Sequence, residues 1–198
     1  MKQPIERFTN LYVGFDINSP SGDFWLDDTS LLYPSVEHAY LASPSVFNFF
    51  TPFYAESEVV EPNDMVSPEF QVLHSVTAIH YLNTIESAIK VAPFINKTAV
   101  NPNPNRPILD YNQNGDLPFL DFSDELALLT AGNAGALDAL LDRLNIIICH
   151  GQLSDAHRTL ITNTIVDSAT NISGYTAQDA LDDALYFMMV SPDYLILK

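Results

Sequence analysis

The chain has a single cysteine, Cys149, so it can form neither an internal disulfide nor a multi-cysteine zinc site. Positive charge is equally scarce. Eight Lys and Arg stand against 25 Asp and Glu in 198 residues, a formal net charge of −17, and no Lys or Arg occurs between Phe8 and Ile89. A field of that sign repels phosphate backbones, which argues against nucleic acid and anionic membranes as partners. Long apolar runs are missing too: residues 144–149 and 184–190 are the longest, far short of the roughly 18 residues a membrane span needs. The opening Met1-Lys2-Gln3-Pro4-Ile5-Glu6-Arg7 has no apolar core, so no signal peptide is expected at this amino terminus. Seven scattered glycines supply no GxGxxG, Walker loop or GxSxG.

What is present is a large apolar fraction, 47% with 11% aromatic, enough to build a core and to exclude disorder as the dominant state. No linker-like break in composition divides the chain, so residues 1–198 are expected to form one helical domain. The carboxyl-terminal third reads most clearly. Leu137, Leu140, Leu141, Leu144, Ile147 and Ile148 make the i, i+3, i+4, i+7 stripe of a core-facing helix over residues 134–149, closed by Gly151. Ser154 caps a helix over 155–169 with Leu160, Ile161, Ile165 and Ala169 as its apolar positions. Thr176 and Asp179 form a capping box for a helix through Val190, and Ser191-Pro192 starts a last short turn.

Upstream, Ser67-Pro68-Glu69 opens a long segment to about Val91 whose apolar residues cover more than one face, the pattern of a central helix packed on several sides. Shorter helices are expected over 4–15, using Ile5, Phe8, Leu11 and Tyr12, and over 124–131, capped by Ser123. Residues 18–68 are rich in proline, and 93–122 carry Asn101-Pro102-Asn103-Pro104-Asn105 and Asn114-Gly115, which are loop signals. The fold class is therefore all-α: an irregular multi-helix bundle with long ordered loops and room for a small β-ribbon within 93–122.

One constellation suggests an ion. Calcium takes six to eight oxygens from a loop that can wrap it, at loop positions 1, 3, 5, 7 and 12 with glycine at 6. Here these are Asp110, Asn112, Asn114, Asp116 (through its backbone carbonyl) and Asp121, with Gly115 at the turn. Position 12 is Asp rather than the longer Glu, and the Pro-rich lead-in cannot form the entering helix of an EF-hand. The alternative is a solvated turn, since Asp, Asn and Gly are turn residues in any case. No cofactor other than calcium is suggested.

The five histidines have no metal-ligand spacing and read as surface or hydrogen-bonded core imidazoles. Cys149 reads as a small buried hydrophobe. Ser87-Ala88-Ile89-Lys90 and Lys97-Thr98-Ala99 match SxxK and faintly KTG but lie too close together, without an SDN element, to build that site. Phe47, Phe49, Phe50, Phe53, Tyr54 and Trp25 could stack sugars or fill a core beneath loops. No catalytic residue is assigned.

Several segments together carry a resemblance. Met1-Lys2-Gln3-Pro4-Ile5-Glu6-Arg7, Ser43-Pro44-Ser45-Val46-Phe47-Asn48-Phe49-Phe50-Thr51-Pro52 and Ser67-Pro68-Glu69-Phe70-Gln71 come first. Asp121-Phe122-Ser123-Asp124-Glu125-Leu126-Ala127-Leu128, Leu140-Leu141-Asp142-Arg143-Leu144-Asn145, Gly151-Gln152-Leu153-Ser154 and Ser191-Pro192-Asp193-Tyr194 follow. In this order they resemble the carboxyl-terminal part of the bacterial domain-of-unknown-function family 1800. The resemblance implies a longer protein with a helical amino-terminal half and export to the periplasm or beyond. The partner would then be that missing half or another protein. It transfers no catalytic residue. Three functions are weighed from these readings: a binding or assembly module that calcium could order, an extracellular hydrolase whose site is shared with the missing half, and an intracellular partner-binding protein complete as it stands.

Overall fold

The computed structural model describes residues 4–15, 17–18, 46, 50–55, 66, 68–72, 75–90, 119–130 and 135–196. Their architecture is all-α. The helices are α1 (Pro4–Gly14), α2 (Ser75–Lys90), α3 (Ser123–Thr130), α4 (Ala136–Cys149), α5 (Asp155–Asn171), α6 (Ala177–Val190) and the one-turn α7 (Pro192–Leu195). A 3-10 turn, Pro68–Val72, precedes α2. Among the described residues no helix is long and apolar enough to cross a membrane.

The central helix is α6. It touches α2, α3, α4, α5 and α7, and Ala180, Leu181, Ala184, Leu185, Met188 and Met189 are buried along it. Small residues at 180 and 184 let neighbours approach, and the two methionines fill the irregular gaps that several crossing helices leave. The capping box is formed as the spacing requires: Thr176 accepts from the Asp179 amide at 3.2 Å while Asp179 accepts from the Thr176 amide at 2.7 Å. Helix α4 buries Leu140, Leu141, Leu144 and Ile148, with Cys149 buried beside them. Helix α5 begins at the Ser154 cap.

Four expectations are corrected. The segment expected to be central, α2, meets α6 along one side: among its described side chains Thr77, Tyr81, Thr84, Ile85 and Ile89 are buried, whereas Ile79 and Leu82 face outward. On α5 only Ile161 and Ile165 are buried; Leu160 and Ala169 are exposed, because the ridge meeting α6 is narrower than the apolar composition suggested. Ser123 is the first residue of α3 rather than its cap. The capping oxygen is Oδ1 of Asp121, which accepts from the Ser123 amide at 2.9 Å and from its hydroxyl. The β-ribbon is not confined to 93–122: β2 (Phe119–Leu120) pairs antiparallel with β1 (Ile17–Asn18), with Ile17 opposite Leu120.

Polar groups tie the amino terminus into the bundle. Arg7 is buried, its guanidinium carbon 4.9 Å from the centroid of the Tyr81 ring. Burial lowers the Arg7 pKa, and the neighbouring phenols of Tyr81 and Tyr194 oppose that shift. The Tyr81 hydroxyl donates to the Met189 carbonyl at 2.8 Å and the Tyr194 hydroxyl to the Arg7 carbonyl. One cluster thus binds α1, α2, α6 and α7.

Candidate functional site

A cavity lined by titratable side chains lies where the end of α1, the β2–α3 junction and α4 meet. Its wall is Gly14, Phe15, Asp121, Ser123, Asp124, Glu125 and Arg143, and it encloses about 150 Å³. Gly14 is needed on the α1 side: a Cβ there would stand 2.5 Å from Cγ2 of Ile147, so no larger residue allows α1 to come this close to α4. The rings of Phe15 and Phe122, centroids 4.6 Å apart, bring the apolar core to the cavity edge.

The unusual member is Glu125. It lies in register with Phe122, Leu126 and Leu129 (i−3, i+1, i+4), on the side of α3 that faces the core, and its side chain is only 1% exposed. Its Oε1 accepts from Nε of Arg143 at 2.5 Å, and Nη2 of Arg143 reaches Asp124 at 3.6 Å. The Glu125 hydrogen bond, with both carboxylates nearby, raises the Arg143 pKa despite partial desolvation. The position of Glu125 at an apolar phase was the signal available in the sequence. It was obscured because acids in a first helical turn are favourable for the dipole alone.

A second cluster has the composition of a hydrolase triad. Oδ2 of Asp193 accepts from the Ser154 amide at 2.9 Å, from the Ser154 hydroxyl at 2.7 Å and from Nδ1 of His157 at 2.5 Å. Its wiring differs from a triad. A base that activates a serine takes the hydroxyl proton on one ring nitrogen while a carboxylate holds the other. Here serine and imidazole meet the same carboxylate oxygen, and the Ser154 hydroxyl lies 3.1 Å from that same Nδ1. The arrangement closes the α5 cap onto α7.

Of the five residues expected to hold calcium, Asp121 is on the wall of the cavity with Oδ1 engaged in capping α3. Asp110, Asn112, Asn114 and Asp116 lie outside the described residues, as do Trp25, Phe47, Phe49 and the Lys97-Thr98-Ala99 segment. Among the described residues no three His, Cys, Asp or Glu side chains form a metal-holding group. Of the aromatic region, Phe50 and Tyr54 are half-buried, and Phe53 is 86% exposed rather than part of the core. Arg158 bridges Asp138 and Asp142, which stand one helical turn apart on α4, reaching Asp142 at 2.6 Å and Asp138 at 3.3 Å.

No protein family, curated protein or solved structure matches this chain.

Proposed function

We propose that the chain is a non-catalytic helical module that binds or assembles with another protein segment. The observation that carries this reading is the double-sided character of α2. Its inner side closes on α6, yet Ile79 is 56% exposed and Leu82, three residues on, also faces outward. Val13 on α1 is likewise exposed. Outward apolar side chains on helices that already have a complete inner contact suit a second partner better than they suit water. Under the resemblance to family 1800, that partner is the amino-terminal half of a longer exported bacterial protein; calcium held by Asp110, Asn112, Asn114, Asp116 and Asp121 is proposed separately, from the residue spacing alone.

The test is the double substitution Ile79→Glu and Leu82→Glu, followed by thermal unfolding and by fluorescence of Nile red, a neutral dye of exposed apolar surface. The expected result is a change in stability within about 0.5 kcal/mol together with loss of most of the parent's dye binding. A large fall in stability would show that both side chains belong to the core, and the reading would lose its basis.

A further inference from the structure

We draw no further inference here: the strongest candidate, the outward apolar side chains of Phe53 and Phe70 where Thr51 and Gln71 join residues 50–55 to the 3-10 turn before α2, carries none because nothing in the structure shows what covers it.

Discussion

Nδ1 of His157 and Oδ2 of Asp193 lie 2.5 Å apart across 36 positions of sequence, and this contact fastens the start of α5 to α7. The same oxygen holds the amide and hydroxyl of Ser154, so one carboxylate serves a helix cap, an imidazole and a tertiary junction. Asp193→Ala would leave three half-buried donors, the amide and hydroxyl of Ser154 and Nδ1 of His157, without this acceptor. The expected cost is about 2–3 kcal/mol in denaturant unfolding. Asp193→Asn, which keeps an acceptor, should cost less. Equal stability of the alanine variant and the parent would show that solvent satisfies those donors.

The core is centred on α6, and its energetics should follow. Leu181 is fully buried there, and Leu181→Ala removes a side chain from a position several helices surround. Truncation at such sites typically costs about 3–4 kcal/mol. Leu160→Ala on α5 should cost under about 1 kcal/mol, because that side chain is largely exposed. Reversal of this order in chemical denaturation would contradict the placement of α6.

Alkaline pH should destabilise the fold through its tyrosines. Burial raises the phenol pKa of Tyr81, and the adjacent Tyr194 adds to the shift while Arg7 opposes it. Burial likewise raises that of Tyr194. In Tyr175, burial and the hydrogen bond to Asp183 act in the same direction. In the unfolded chain these phenols lose their protons near pH 10. The folded state holds its protons longer, so their stabilisation is complete below that pH and declines as pH rises above it. The buried Tyr81 and Tyr194 each contribute a slope of up to about 1.4 kcal/mol per pH unit over that window, and the more exposed Tyr175, screened by solvent, contributes less. Tyrosinate absorbance should show a delayed fraction that appears together with unfolding. Full titration near pH 10 with the fold intact would refute this.

Calcium binding by Asp110, Asn112, Asn114, Asp116 and Asp121 would stabilise the folded chain. At calcium about fivefold above a millimolar dissociation constant, the expected gain is about 1 kcal/mol. Differential scanning calorimetry with an EDTA control reads this as a rise of a few degrees in midpoint. An unmoved midpoint would remove calcium from the account.

Much of the helical skeleton was legible because it is written in local signals. The Thr176 capping box, the Ser154 cap, the stripe of α4 and the Ser191-Pro192 start of α7 each depend on residues within about one or two turns of one another. The pairing of β1 with β2 was not legible, since Ile17 and Leu120 are joined by backbone hydrogen bonds and no side-chain pattern announces a partner a hundred residues away. Nor was the cavity. Glu125, at a core-facing phase of α3, could be recognised as unusual, but its pairing with Arg143 depends on how α3 meets α4.

Periodicity and capping chemistry determined by themselves that this chain is helical and where its carboxyl-terminal helices begin and end. Only the tertiary structure decided that α6 rather than α2 occupies the centre. Both helices carry enough apolar residues for that place, but Ala180 and Ala184 let neighbours close around α6, while among the described side chains of α2 the buried ones lie along one side. The tertiary structure also decided which acids are solvated and which are buried. Charge follows composition, whereas desolvation depends on what packs against each carboxylate.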